Sequence, residues 1–344
     1  ARLKAVIDQQ KALYPDAVLV DGGDFSMGSL FQTAYADSAL ELRVMGQMGY
    51  DATTFGNHEY DYRAEGLASM LNAAADSGDK VPAIVEANYL PPAEGEEGYD
   101  ETAQAVWDAF ANYGVADYIL LERGGVWYAI LGVMGVDSDE CAPTSGFTRT
   151  DAAEAARRCV ETLREEGAEV IVCLSHSGTG DTLEVSEDEE LAKAVEGIDV
   201  IVSGHTHSTL TEPLMVNGTY IVSCGPYCQN LGSLTFTWDG GGNRQLTDYR
   251  LIPIDETVAE DPEIAGLVER WKSMVGETYL KRYGLTYDQV LTRTEFSLSL
   301  PDSTEQENNA LGNLVSDAFL WADQTLNPDY DVSTHAVAVT ADGV

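Results

Sequence analysis

Four short apolar runs along the chain share one shape, a β-rich stretch that ends abruptly in polar, glycine-containing sequence. They are Ala17–Val20 before Asp21, Gly22, Gly23 and Asp24, and Ala52–Phe55 before Gly56, Asn57, His58 and Glu59. The other two are Val170–Leu174 before Ser175, His176, Ser177 and Gly178, and Asp199–Val202 before Ser203, Gly204, His205, Thr206 and His207. Runs that are apolar throughout, without alternation, predict strands buried on both faces. Helical periodicity fills the spaces between them. Ala34 to Met48 carries Leu40, Val44 and Met48 on one face, and Ala64 to Ala75 carries Leu67, Met70 and Leu71. Asp151 to Glu166 carries Ala155, Ala156, Cys159, Val160 and Leu163, and Leu3, Val6 and Ile7 place the first residues inside a helix. Strand and helix alternate, so the class is α/β, with helices covering a sheet.

From Ile198 to Ile254 the rhythm changes to strands and turns: Tyr220–Ser223, Ser233–Trp238 and Gln245–Pro253, with Asp239, Gly240, Gly241 and Gly242 as a turn. This pattern predicts a second sheet packed on the first. Asp261 and Pro262 then open a helix whose Ile264, Leu267, Val268, Trp271 and Val275 share one face, running towards Gly284. Leu285 to Val344 is a separate, shorter piece, small for an independent core. With 344 residues, two domains are the expectation. No internal repeat is visible, and no apolar run approaches the ~20 residues that span a bilayer.

Charge changes the picture. The formal net charge is −39, with 19 Lys plus Arg, a balance that repels nucleic-acid polymers and anionic membrane surfaces. It would also repel a small phosphate substrate unless bound cations reversed the sign locally. The acidic runs Glu94 to Glu97 and Glu187 to Glu190 read as solvated loops and caps. Five cysteines, an odd number with scattered spacing, do not form a disulfide framework. Cys224 and Cys228 could bridge across a short turn, and Cys173, in an apolar strand, reads as a buried inert thiol.

α/β sheets bind ligands beyond the carboxyl ends of their strands. Each of the four runs delivers metal-competent side chains there: Asp24, Asn57 with His58, His176, and His205 with His207. Of five histidines only His335 falls outside the pattern. Taken singly, each motif has a bland reading, a turn after a strand or a satisfied loop histidine. His205 and His207 are the strongest pair, because alternate residues of an extended segment point to the same side. Phosphate esters resist attack because an anionic phosphorus centre repels an anionic nucleophile. Two cations ~3.5–4 Å apart relieve that repulsion, and they need a bridging carboxylate, imidazoles and a neutral oxygen donor. Asp24, His176, His205, His207 and Asn57 are such a set.

These motifs resemble motifs two to five of the calcineurin-like metallophosphoesterases, and more narrowly those of the 5′-nucleotidase family, bifunctional nucleotidase/UDP-sugar hydrolases included. Glu59-Tyr60-Asp61, Asn88 after Glu86 and Ala87, Ser208 after His207, and Leu311 to Ala318 are similar to that branch too. The resemblance implies a four-layer α/β/β/α sandwich over residues 1–255, a linker helix over 256–284, and the start of an α+β substrate-binding domain over 285–344. The linker helix is then the place for a hinge between the two. It also implies two divalent ions (Zn, Mn, Mg or similar). Asp24 would bridge them, Asn57, His176 and His205 would complete one site, and His207 would serve the other. His58, oriented by Asp61, would assist the leaving group, and a hydroxide between the metals would attack in line.

The first motif of that family, an Asp-x-His, is expected upstream of Ala1, so one of the two metal sites is expected to be incomplete in this chain. An arginine and the aromatics that stack on nucleobases are expected beyond Thr340, Ala341, Asp342, Gly343 and Val344. The implied activity is hydrolysis of 5′-nucleotides to nucleoside and phosphate. The alternatives are a 2′,3′-cyclic nucleotide phosphodiesterase, a UDP-sugar hydrolase, or a non-catalytic surface-binding relative. The expected partner is a small phosphorylated substrate, with no nucleic-acid polymer and no integral membrane segment. The expected state is a monomer, placed outside the cell, in the periplasm or at the cell wall.

Overall fold

Strands that are apolar on both faces need cover on both faces, and the sheet obtains it from two different partners. In this computed structural model, residues 1–180, 186–238, 244–296, 298 and 310–327 are described. The chain divides into two units, Ala1–Tyr283 and Gly284–Val344. The first is a mixed α/β unit around a six-stranded sheet in the order Tyr118–Arg123, Val126–Met134, Val170–His176, Val200–Ser203, Thr219–Val222, Leu214–Val216. The inner four strands run parallel and the two edge strands antiparallel. Gly124 and Gly125, with φ of 59° and 80°, make the tight turn into the first edge hairpin, a backbone that residues with a Cβ rarely adopt.

Alternate residues of each strand divide between two cores. Ile171, Cys173, Ala129, Leu131, Val133 and Ile201 pack with Ala155, Ala156, Cys159, Val160 and Leu163 of the helix Ala152–Glu165, and with Leu191 and Ala192 of the helix Glu187–Ala194. From the other face Val172, Leu174, Ile130 and Val202 meet Val18, Val20, Ala52 and Val85. Those belong to short parallel segments, Ala52–Thr53 paired with Ala83–Ile84, flanked by single bridges at Val20 and Ala116. The helices Arg2–Leu13, Leu40–Met48, Arg63–Asp76 and Glu101–Tyr113 bring Ile7, Leu42, Leu71 and Phe110 into a core with Phe55 and Ile84.

Several expectations are corrected. Ala17–Val20 is not a full strand: it pairs only through Val20, with Asp51 N–H on Leu19 O at 2.8 Å and Asp21 N–H on Ala52 O at 3.1 Å, because the chain turns away at once into the glycines. The Ala34 to Met48 helix breaks at Ala39, whose φ is 45°. The break allows Tyr35 and Leu40 both to be buried, and lets the Tyr35 hydroxyl reach Glu59 O at 2.7 Å. Thr219–Val222 joins the first sheet beside Val200–Ser203 instead of starting a second one; Asn230–Trp238 and Arg244–Pro253 form their own antiparallel pair. The turn at Asp239 to Gly242 lies outside the described residues. The acidic run at Glu187 opens a helix, and Asp188 within it is fully buried rather than solvated. All five cysteines are free, Cys224 and Cys228 included, and Cys173 is buried in its strand.

Asp261 caps the helix Pro262–Thr278 by accepting from the N–H groups of Glu263 and Ile264, with Pro262 at the first position. Its Leu267 and Trp271 pack with Ala34 and Leu40, and Trp271 meets Phe31 edge-on at 6.2 Å. In the second unit the described helix Ala310–Leu326 buries none of its side chains, Leu314 and Trp321 included. His335 and Thr340 to Val344 lie outside the described residues. Among the described residues no helix is long and apolar enough to cross a membrane.

Glu41, in the first turn of Leu40–Met48, has a carboxylate oxygen that is sealed from water and unpartnered among the described residues. Burial pushes this carboxyl from near 4.5 up to about 7. The unfolded chain therefore gives up this proton first as pH rises. Stability falls between those two values and stays reduced above them, by at most about 3 kcal/mol. Glu41→Gln is expected to raise Tm above neutral pH and to leave it unchanged in acid; thermal melts giving the same difference at both pH values would refute this origin.

Candidate metal centre

Each site residue stands where a strand stops. His176 is the last residue of Val170–His176, a strand that runs two residues past the apolar run ending at Leu174. Asn57 opens a 3₁₀ turn, Asn57–Tyr60, after the short Ala52–Thr53 strand. His205 follows Val200–Ser203, and Asp24 follows the bridge at Val20. The His205–His207 segment is not extended. Both histidines are left-handed, with φ of 70° and 56°, and Thr206 N–H turns back to Gly204 O at 2.9 Å. The simple alternation rule therefore fails here, and the two rings part company. Asp24 is left-handed as well, with φ 55°. Such backbone is held only where the surroundings impose it.

The structure brings together Asp24, His176 and His205, whose ligand atoms all lie within 4.8 Å of one another. His176 Nε2 is 3.0 Å from Asp24 Oδ2. Asn57 Oδ1 sits between the two rings, 3.3 Å from His176 Nε2 and 3.1 Å from His205 Nδ1. Each ring has its other nitrogen engaged. His176 Nδ1 meets the Gly22 carbonyl at 2.7 Å and His205 Nε2 meets Asp137 Oδ2 at 2.7 Å. A carbonyl or carboxylate can only accept, so a proton on each of these nitrogens completes a hydrogen bond, and the neutral ring then turns its lone pair inward. Glycines make the convergence possible: a Cβ on Gly56 would collide with Asp24 Oδ1 and His176 Cε1. His207 stands outside the cluster, its ring edge-on to Tyr227 at 5.4 Å.

One carboxylate oxygen, one amide oxygen and two imidazole nitrogens aimed at each other repel unless positive charge lies among them. The mixture of hard and borderline donors suits a divalent cation, so the residues present fit one. In its absence a proton does that work. Burial opposes a charged His176, but the Asp24 carboxylate overrides it and pushes the imidazole up to about 9. Burial likewise works against the Asp24 charge, yet His176 and the hydrogen bonds to it hold the carboxyl below the usual range. Burial lowers both His205 and His207, keeping them neutral and able to coordinate.

His58 lies beside the cluster. Its backbone N–H donates to Asp24 Oδ1 at 3.0 Å, and its ring Nδ1 donates to Asp61 Oδ2 at 2.9 Å. The bond to Asp61 raises the imidazole pKa above its ordinary value. The ring is about one-third exposed, with Nε2 left for a ligand.

Three residues to which the sequence reading gave no role in the site shape it. Glu59 is completely buried and accepts from Asp24 N–H, Ser26 N–H, the Ser26 hydroxyl and Gly56 N–H at 2.6–3.0 Å. Burial and the neighbouring Asp24 charge push it up to about 8, against the pull of the Gly56 and Ser26 donors. Asp137 and Glu187 hold one another's segments, with Val136 N–H and Asp137 N–H on the Glu187 carboxylate at 2.7 and 3.0 Å. Asp137 lies just beyond the end of Val126–Met134. The strand-end rule that marked the other sites would have found it had that apolar run been scored with them. Asn88 is buried, but its amide is used to tie Met134 to Thr150, away from the donor cluster.

The profile described as Calcineurin-like phosphoesterase matches residues 1–209. The trifunctional nucleotide phosphoesterase protein YfkN of Bacillus subtilis (strain 168) is 29% identical over 340 residues, 93% of this chain and 22% of that protein. The probable 5′-nucleotidase of Treponema pallidum (strain Nichols) is 29% identical over 266 residues, 70% of this chain and 40% of that one. The chain thus spans less than half the length of both relatives. The structure of a 5′-nucleotidase precursor from Thermus thermophilus shares the fold, with a TM-score of 0.70 at 23% identity over 94% of this chain and 61% of that one. With strand-end donors in place and the profile covering well over half of its residues, the chain belongs to the calcineurin-like phosphoesterase family.

Proposed function

We propose that the protein hydrolyses phosphate esters, 5′-nucleotides foremost, at a divalent-metal centre built on Asp24, Asn57, His176 and His205. Calcineurin-like phosphoesterases use divalent metals, and the observation that carries the reading is the convergence of these four donors beside the His58–Asp61 pair. Nucleotides are favoured as substrates because both relatives are named for acting on them.

Bound divalent ions would neutralise the phosphoryl oxygens and lower the pKa of water. Asp24, with one oxygen towards His176 and the other held by His58 N–H, would serve both ions, and His207 would serve the second. The remaining work belongs to His58. Asp61 keeps the proton on Nδ1, which fixes the ring and leaves Nε2 to donate towards the departing oxygen as the ester bond breaks. Buried Glu59 keeps Asp24 and the Asn57–His58 turn in register throughout. We further assign residues 1–255 as the catalytic domain, 256–284 as the linker helix, and 285–344 to a substrate-binding domain.

Titration of this chain with Mn²⁺ or Zn²⁺ is expected to show one tight equivalent, weakened at least about tenfold by Asp24→Ala or His176→Ala. The His207 position is expected to fill only weakly. Two equally tight equivalents would overturn the division between the positions, and no binding at all would end the metal reading. Phosphate release from AMP, a 2′,3′-cyclic nucleotide and UDP-glucose by metal-loaded protein tests the chemistry. AMP is expected to react fastest, and His58→Ala to lower kcat by about 10²- to 10⁴-fold with metal still bound. Metal-loaded protein that released phosphate from none of the three would refute the proposal.

A further inference from the structure

The two inward-facing imidazoles are held from behind by unlike groups. His176 leans on a neutral backbone carbonyl, Gly22 O, whereas His205 leans on the carboxylate of Asp137, 2.7 Å from Nε2. Asp137 is firmly seated. It lies in the short helix Val136–Glu140, whose first N–H groups are taken by Glu187. Ser138 Oγ and Gly135 N–H, on either side of it, both donate to the His176 carbonyl, at 2.5 and 3.0 Å. One short segment therefore grips both histidines.

We propose that Asp137 is a positioning residue for His205: its carboxylate holds the ring proton on Nε2, so that Nδ1 presents its lone pair beside Asn57 Oδ1 to an incoming divalent cation. The inference rests on the metal reading above and extends it to a residue outside the donor set. A free neutral imidazole exchanges its proton between the two nitrogens, and every molecule with the proton on Nδ1 is closed to coordination. A carboxylate behind a ligating histidine removes that population and fixes the ring plane.

A rival arrangement uses the same atoms. Asp137, Cys141 and His205 offer ligand atoms within 4.8 Å of one another and could hold an ion of their own. The spacing argues against it. Two ligands on one tetrahedral ion, each ~2.0–2.1 Å from it, stand roughly 3.3 Å apart, whereas Asp137 Oδ2 and His205 Nε2 are only 2.7 Å apart, closer than the 3.0–3.3 Å contacts among Asp24, Asn57, His176 and His205.

The test combines a spectroscopic readout with metal affinity. In metal-free, mildly alkaline protein, nitrogen-15 NMR of His205 is expected to show the proton on Nε2. Asp137→Ala should yield a mixture of the two tautomers and weaken Mn²⁺ or Zn²⁺ binding by about 10- to 100-fold. Asp137→Asn, nearly isosteric, guards against a merely misfolded variant and should show a smaller effect in the same direction. Asp137→Glu, which keeps the carboxylate, should restore most of the Nε2 signature and of the affinity. An unchanged tautomer with affinity within about twofold in Asp137→Ala would overturn the proposal. So would an additional bound equivalent lost in both Asp137→Ala and Cys141→Ser, since it would make Asp137 a ligand. If the unaltered chain bound no ion, the metal reading would fail, while the His205 tautomer would still decide the role of Asp137.

Discussion

The buried Glu59 carboxyl group is the joint on which the centre depends. It takes four hydrogen bonds from two loops that reach the site from different strand ends, Asp24 to Ser26 on one side and Gly56 on the other. A carboxyl group sealed from water is strongly unfavourable unless its oxygens are satisfied, so the burial of Glu59 favours the loop arrangement that supplies these donors. That arrangement is the one that holds Asp24 in a left-handed backbone and brings His58 N–H onto its carboxylate. The strain at Asp24 and the burial of Glu59 are therefore one device. Each is unfavourable alone, and together they place an oxygen where a cation needs it.

The same logic governs the histidines. Donors that all present lone pairs to one point form a high-energy cluster, and in metal-free protein the His176–Asp24 pair relieves it by retaining a proton, with the imidazole pushed up to about 9. Metal and proton compete for one place. The overall charge of −39 has the same consequence on a larger scale. On the proposed reading, a phosphate ester approaching this molecule would be repelled until cations sat at the centre, and the acidic surface would tie substrate access to metal occupancy.

Much of this was legible in the sequence, for a physical reason. Apolar runs that stop abruptly at glycine and polar residues mark the carboxyl ends of buried strands. The chemistry of Asp24, Asn57, His176 and His205 could be read there without knowing which strand lay beside which. What could not be read depended on backbone geometry. His205 and His207 look equivalent under strand alternation, but two left-handed residues and a turn at Thr206 send the rings to different neighbours. Ala39 looks like helix interior, yet the chain breaks there so that Tyr35 can serve Glu59. Glu187 carries no motif at all, and Asp137 follows a strand, Val126–Met134, that the four-run pattern left out. Their roles exist only through contacts between segments about fifty residues apart.

Sheet register supplies the remaining precision. Met134 pairs with His176 and Ser175 with Ser203, so the parallel strands Val126–Met134, Val170–His176 and Val200–Ser203 end nearly level. The segments that follow them deliver Asp137, His176 and His205 in that spatial order across the sheet. Side chains alternate between faces with a period of two, so a slip of one residue in Val170–His176 would turn His176 into the helix-covered core and a serine towards Asp24. The apolar alternation of Ile171 and Cys173 against Val172 and Leu174 forbids that slip, because it would exchange two well-filled cores at once. The geometry of the donor cluster is thus set by hydrophobic packing several residues away, and the polar residues at the strand ends inherit their positions from it.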